Sequence, residues 1–339
     1  MAQQLLRSLS LILAISASPL GALAQGAPSN AAESSGAFAG VRSPRLEGAA
    51  PRAWSASLRV FADYDSNVGL TEDNPPPPFQ AEAAFRTGLS GAGRWRVVGD
   101  DALEAGVGGY FTQTGTFGDS FADEYDLGTL APQLWANARF ALGERPAFAQ
   151  LAYQFRRDWL EGDDFERSHS VRLRSGVRVR DDLELEASYA IHFDDFDATG
   201  FHALDARRDA DHQRVSLAAT WLRTEAGQAV TFGYQYSRNA AERDDFDFRG
   251  HGVTARFRTP FVLGTLLDLQ ADYTHADYTH FTTSPRREAR TQRYRARVLV
   301  PLTSHLAADV GVGFLRVGAD QARFRAKRHD VSLGLSYFF

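Results

Sequence analysis

Leu183-Glu-Leu-Glu-Ala-Ser-Tyr-Ala-Ile-His-Phe193 is the stretch that decides the fold. Leu183, Leu185, Ala187, Tyr189, Ile191 and Phe193 fall on one face, and Glu184, Glu186, Ser188 and His192 on the other. Period two sustained this far is the mark of an extended strand, whose side chains alternate between faces. Its length is that of a tilted strand crossing a bilayer, about 9–11 residues.

The same alternation returns along the chain. In Thr265–Tyr273, Leu267, Leu269, Ala271 and Tyr273 oppose Asp268, Gln270 and Asp272. In Val230–Ser237, Val230, Phe232, Tyr234 and Tyr236 oppose Thr231, Gly233, Gln235 and Ser237. Arg214–Trp221 and Leu306–Phe314 repeat the pattern, and Val171–Arg180 and Arg293–Leu302 are arginine-rich versions of it. Short turns are expected near 99–101, 143–146, 180–182, 225–227, 259–260 and 303–304. Longer polar loops are expected at 71–78, 118–124, 161–166, 194–211, 242–247, 278–290 and 318–323. Short turns on one side and longer loops on the other are the usual asymmetry of outer-membrane barrels.

The expected fold is therefore all-β: a transmembrane antiparallel up-and-down β-barrel of about fourteen strands, to within two, closed by its first and last strands. The strands are placed at 54–66, 79–95, 103–116, 125–140, 147–160, 166–179, 183–195, 212–223, 228–240, 247–258, 265–278, 291–302, 305–317 and 326–339. A soluble secreted β-sandwich is the competing architecture. Its strands would be shorter, about 5–6 residues, and one face would form a packed core. Here the second face carries Arg, Glu, Asp and Gln on successive strands, which a dry core tolerates only when they are paired.

Both ends of the chain point the same way. Arg7, the apolar Leu9–Ile15 and the small-residue triplet Ala22-Leu-Ala24 describe a signal peptide over 1–24, too short in its apolar part for a membrane anchor. Residues 25–52 are Ala, Ser, Gly and Pro without periodicity and read as a flexible periplasmic leader, with the barrel at 53–339. An even strand count leaves both termini in the periplasm. At the other end Val331, Leu333, Leu335, Tyr337 and Phe339 alternate with Ser332, Gly334, Ser336 and Phe338. This resembles the C-terminal signature that the barrel-assembly machinery recognises.

Composition excludes several classes. There are no cysteines, so disulfides, thiol chemistry and Cys-ligated metals are out. A net charge of −5 does not suit nucleic acid. Mean hydropathy is −0.32, with no apolar run of helix-spanning length, as expected where only alternate residues meet lipid. Aromatics are plentiful (Phe 24, Tyr 11, Trp 5) and suit strands and interfacial girdles.

The inward face is charged in blocks. Arg172, Arg174, Arg178 and Arg180 precede Glu184 and Glu186; Arg256 and Arg258 precede Asp268 and Asp272; Arg293, Arg295 and Arg297 precede Asp309. Neighbouring strands would set these ladders about 5 Å apart. They can form a salt-bridge network that stiffens the wall, or a positive lining that selects anions. The loops are acidic (Asp163, Asp164, Glu166; Asp194, Asp195, Asp197; Glu242, Asp244, Asp245, Asp247). They read as solvated, or as cation-bridged to lipopolysaccharide phosphate. His275 and His280, near Asp272 and Asp277, are the one cluster for a rim hydrolase; a strand end entering a loop explains them more simply. No catalytic residue, metal or cofactor is expected.

Tyr64-Asp-Ser-Asn-Val68 resembles the segment that opens the barrel in many proteins with periplasmic tetratricopeptide repeats, among them the surface lipoprotein assembly modifiers. Arg243–His251 and the ending Phe324–Phe339 fit the same pattern. The resemblance spans 54–339 and implies a fourteen-stranded barrel. It does not reach the helical repeats of that family, so a separate periplasmic partner protein would have to supply them, and no residue-level function carries over. The functional expectation is a transport pore or export conduit with a charged, arginine-lined lumen, in contact with outer-membrane lipid and lipopolysaccharide. The alternative is a non-conducting structural or partner-docking barrel.

Overall fold

A computed structural model describes residues 53–67, 83–100, 102–117, 126–160, 162–196, 209–223, 226–242, 246–278, 287–320 and 325–339. The signal peptide and leader expected over 1–52 lie outside the described residues, as do His280 and parts of the acidic loops. The described residues form fourteen strands: β1 Trp54–Asp65, β2 Ala84–Gly99, β3 Leu103–Thr116, β4 Leu127–Leu142, β5 Arg145–Leu160, β6 Asp163–Arg180 and β7 Leu183–Phe196. They continue as β8 Ala210–Arg223, β9 Gln228–Ala241, β10 Phe248–Pro260, β11 Leu266–Tyr278, β12 Arg287–Pro301, β13 Leu306–Ala319 and β14 Ala326–Phe338. Each pairs antiparallel with its neighbours in sequence, and β1 pairs with β14 from Ser57↔Phe338 to Asp65↔Asp330, which closes the barrel. Closure leaves no strand edge unpaired.

The two faces of this sheet differ. In β1, Arg59, Phe61, Asp63 and Asp65 are buried, whereas Leu58 and Val60, on either side of Arg59, are 39% and 37% exposed. In β14, Arg328 and Ser336 are buried and Val331, Leu333, Leu335 and Tyr337 are exposed. A closed sheet crowds side chains on its concave side and spreads them on its convex side, so the buried set is the enclosed one. The convex face is an apolar band that includes Leu134, Leu151, Leu173, Leu217, Phe232, Val253, Tyr294 and Val312. Cross-strand register sets like beside like on it: Tyr64 faces Phe85 with rings 5.0 Å apart, and Trp221 lies edge-on to Phe232.

Connections after even-numbered strands are short (143–144 and 181–182 are two residues each), and most after odd-numbered strands are longer. In the first short turn the backbone N–H groups of Leu103 and Ala102 donate to Asp100 at 3.0 and 2.8 Å and hold its carboxyl below the usual range. Arg180 lowers Asp182 in the same way across the β6–β7 turn. Leu263, in the turn between β10 and β11, takes φ 57° and is 98% exposed, the one described non-glycine residue in the left-handed region.

At the loop end the amphipathic pattern inverts. Phe165, Phe248, Tyr278, Leu315 and Val317 turn inward there, in three apolar clusters with Leu127, Leu160, Ala276, Ala289 and Ala326. Their outward neighbours are charged: Arg167, Arg249, Asp277, Arg316 and Lys327. Apolar inside and charged outside is the arrangement of a sheet standing in water, so this row marks the upper edge of the apolar band.

Three sequence placements change. β2 ends at Gly99 instead of 95, because a bulge between Arg96 and Val98 breaks period two and leaves Val97 and Val98 both exposed. β12 begins at Arg287, inside the loop expected at 278–290, because Arg287 pairs with Tyr278 and its guanidinium lies 4.0 Å over that ring. The loop expected at 161–166 is a two-residue connection; Asp163, Asp164 and Glu166 belong to β6.

Candidate functional site

The enclosed face carries charged clusters that the register assembles. Asp63 lies directly opposite Arg86, and Asp65 follows on the same face. Arg86 donates to Asp63 Oδ2 at 3.0 Å and Asp65 Oδ2 at 3.1 Å, while Arg328 Nε reaches that same Asp65 oxygen at 3.1 Å. Asp65 Oδ1 accepts the Asn67 backbone N–H at 3.0 Å. All four charged side chains are buried. Such groups persist out of water only because each charge is paired and hydrogen-bonded.

A second cluster straddles the same seam. Asp309 on β13 accepts Arg59 from β1 (Nε, 3.1 Å) and Arg297 from β12 (2.8 and 3.1 Å). β14 lies between β13 and β1, and Gly334 is the residue under the pair. A Cβ there would sit 2.5 Å from both Arg59 Nη2 and Asp309 Oδ2. Gly334→Ala is therefore expected to cost about 1–3 kcal/mol, since neither buried group can retreat without breaking the pair. The check is the temperature at which the folded band is lost in a heat-modifiability gel. Gly93→Ala, whose Cβ would lie 3.8 Å from the Ser55 carbonyl oxygen, is the silent control; equal behaviour of the two variants would refute the packing argument.

Further around the wall, Glu104 accepts Asn137 at 2.9 Å and Arg139 at 3.2 Å, and Arg94 stacks 3.5 Å over the Trp135 ring. Arg156 pairs with Asp158 at 2.9 Å and with Glu166, Thr129 donates to Asp158 at 2.6 Å, and Ser168 donates to Asp194 at 2.5 Å.

The residues singled out from the sequence fall as follows. Arg178 pairs with Glu184 at 2.6 Å and stands directly opposite it. Arg174 reaches diagonally to Glu186 at 2.6 Å. Arg172 is opposite Ala190 on the same face. Arg180 leaves the ladder: a bulge between Arg178 and Arg180 sets it opposite Leu183, and it turns outward to Asp182 at 2.7 Å, 61% exposed. Arg256 and Arg258 share Asp268, at 2.8 and 3.1 Å through their Nε atoms. Asp272 accepts Thr254 at 2.6 Å and Gln270 at 2.9 Å. Arg293, Arg295 and Arg297 stand opposite Asp272, Gln270 and Asp268.

Two other placements differ from the sequence reading. Glu166 and Asp194, counted among solvated loop acids, are buried or part-buried and hydrogen-bonded inside the barrel. His275 faces outward, between His251 and Arg290, with Asp277 two residues on along the same face, whereas Asp272 points to the other face, so strand alternation takes Asp272 out of the expected cluster. The C-terminal Val331, Leu333, Leu335 and Tyr337 all face outward beside β1, and Tyr337 packs on Phe339 at 4.8 Å. The sequence reading passed over Arg59, Asp63, Asp65, Arg86 and Arg328. Their signal is present in Arg59, Asp63 and Asp65, which share one face of β1; the β1–β2 register brings Arg86 to them and the β1–β14 register brings Arg328.

No protein-family model matches the chain, and no curated protein matches it. Solved structures similar to it include OccAB3 of Acinetobacter baumannii (TM-score 0.46, 10% identity, covering 84% of this chain and 99% of that one). OmpT, an outer membrane protein of Vibrio cholerae, gives TM-score 0.46 at 9% identity over 84% and 96% of the two chains. OprD of Pseudomonas aeruginosa gives 0.41 at 13% identity over 84% and 95%. Similarity this distant carries no functional argument, and the fold rests on the strand register itself.

Proposed function

We propose that the chain is an outer-membrane pore whose arginine-rich inner wall favours anions. The observation that carries this reading is the direction of the ion pairs. Those described above join strands that are adjacent or separated by one, so they run along the wall and not across the barrel. A sealed barrel would hold its lumen shut with pairs between opposite walls. Arginine also outnumbers its acceptors locally: Asp268 is shared by Arg256 and Arg258, and Arg293, Arg295 and Arg297 follow on the next strand. A positive wall in a narrow aqueous path attracts anions and repels cations.

The membrane location is supported by the exposed face. A contiguous band of Leu, Val, Phe, Tyr and Trp around a closed barrel is far larger than the few hundred Å² that soluble monomers expose. On this reading the longer connections face outward and both termini lie in the periplasm. Refolded into liposomes, the protein is expected to admit small anionic solutes several-fold faster than cations of equal size, read by osmotic swelling. Equal exclusion of both by protein shown to be folded would overturn the pore.

A further inference from the structure

The turn between β10 and β11 is apolar where other short turns are polar. Those carry Asp100, Glu144, Asp181 with Asp182, and Thr303 with Ser304; this one reads Phe261-Val-Leu-Gly-Thr265. Phe261 and Val262 are exposed, and Leu263 almost wholly so. The turn is nonetheless well tied. Phe261 N–H donates to the Thr265 carbonyl at 2.8 Å. Thr265, itself buried, donates to the Val262 carbonyl through its N–H at 3.2 Å and its Oγ1 at 2.8 Å. Leu263 and Gly264 are both left-handed, at φ 57° and 74°. Glycine adopts that shape freely, whereas a leucine in it is strained. Leu263 is thus held against backbone preference and against hydration at once, a combination that points to a use outside the fold.

The barrel supplies its own comparison for this turn. β5–β7 and β9–β11 repeat one pattern: Tyr153-Gln-Phe155 recurs as Tyr234-Gln-Tyr236, and Arg167-Ser-His169 as Arg249-Gly-His251. Leu183-Glu-Leu-Glu-Ala-Ser-Tyr189 recurs as Leu267-Asp-Leu-Gln-Ala-Asp-Tyr273. The contacts repeat with the residues. Tyr153 meets His169 Nδ1, and Tyr234 meets His251 Nδ1, each at 2.7 Å. Arg178 stands opposite Glu184 as Arg258 stands opposite Asp268. Five residues join the first of these pairs, among them the exposed Asp181 and Asp182; nine join the second, and Phe261–Thr265 occupies the place of the two carboxylates.

The equivalent turn is charged and exposed, so this end of the wall stands in water. The outward rows agree. Trp221, Val230 and Phe257 form one apolar row. The next row toward the turn is polar: Arg223, Gln228 and Thr259, with Gln228 donating to Thr259 Oγ1 at 3.1 Å. Phe261 lies beyond it, separated from the lipid-facing band.

That polar row excludes the bilayer as the occupant. Orientation excludes a second copy, since barrels sharing a membrane point their turns the same way. Residues 25–52 are mostly Ala, Ser, Gly and Pro, with Phe38, Val41 and Leu46 isolated among them, and hold no apolar run to cover three adjacent side chains. We infer that Phe261, Val262 and Leu263 are the anchor on which a separate periplasmic protein docks, through an apolar pocket whose polar lip meets Arg223 and Gln228. A rigid, convex apolar turn suits a preformed pocket, because little ordering remains to be done on binding. The inference rests on the outer-membrane reading above, with the short turns in the periplasm, and is independent of conduction.

The chain has no cysteine, so Leu263→Cys gives the full-length folded barrel a single thiol to label. With a fluorophore in liposomes, this position is expected to be quenched by aqueous iodide as strongly as the same label in Asp181→Cys. Quenching from within the lipid would overturn the docking site. With a benzophenone, the Leu263→Cys barrel is expected to crosslink on irradiation to one protein in periplasmic extract of the same bacterium, identified by mass spectrometry, and the Asp181→Cys barrel is not. Equal products from both positions, no product, or a product with lipid, with residues 25–52 or with a second copy would each overturn the inference. The identified protein, made separately, should bind the wild-type barrel and lose about tenfold or more in affinity for Leu263→Asp and Leu263→Gly, the scale of a truncated anchor; unchanged affinity would overturn it. Leu263→Gly should melt no lower than the wild type, because it removes strain and a side chain the barrel does not pack. A lower melting temperature would assign Leu263 to the fold and overturn the anchor. Conductance of the same samples separates the two readings. A docking barrel that does not conduct overturns the pore alone, and a conducting barrel without a partner at Leu263 overturns this inference alone.

Discussion

Asp309→Ala is expected to destabilise the barrel by about 3–5 kcal/mol, the cost of stranding a buried charge. In this protein the carboxylate serves two cations. Arg59 and Arg297 both end on it; Asp309 and Arg59 are buried, while Arg297 keeps 25% of its side chain exposed. The cluster also ties β12 and β13 to β1 across β14, so its loss weakens the seam where the sheet closes on itself. The change would appear as an earlier urea midpoint and a lower temperature for loss of the folded band. The triple variant R59M/D309L/R297M is expected to recover most of the loss, because replacing a whole buried ionic cluster by apolar residues is often neutral. If Asp309→Ala melted like the wild type, the cluster would not hold the seam.

R293Q/R295Q is the second change of large expected effect, on selectivity. These arginines stand opposite Asp272 and Gln270 on the enclosed face. Removing two positive charges from the wall should lower the anion-to-cation permeability ratio several-fold, read from the reversal potential in a salt gradient. R178Q/E184Q is the matched control. It removes one charge of each sign from a directly opposed pair, so the ratio should stay near the wild-type value. If both doubles left the ratio unchanged, the arginines would serve only the wall.

Much of this fold was legible because a strand with one lipid-facing side writes its register into the sequence. β3 spans 103–116 as placed from alternation alone, and the other strands mostly shift by a few residues at their ends. The departures have specific causes. Bulges at Arg96/Val98 and Arg178/Arg180 insert a residue out of phase, which period counting cannot anticipate and which moved Arg180 off its ladder. At the loop end the inside is apolar and the outside charged, so Asp163–Glu166 and Arg287–Arg290 looked like loop when they are strand.

The charged clusters were legible only in part. Arg178 and Glu184 are joined by a two-residue turn, so their pairing follows from the hairpin register. Arg59 and Asp309 are 250 residues apart and meet only because the barrel closes and Gly334 leaves room between them. A chain read from one end to the other shows no trace of that contact.

The most direct test of the pore is single-channel recording of the refolded wild-type protein in a planar bilayer, with the reversal potential measured under a salt gradient. Stable channels whose reversal potential has the sign of anion preference are the predicted result. A silent bilayer holding protein shown by heat-modifiability to be folded would contradict it.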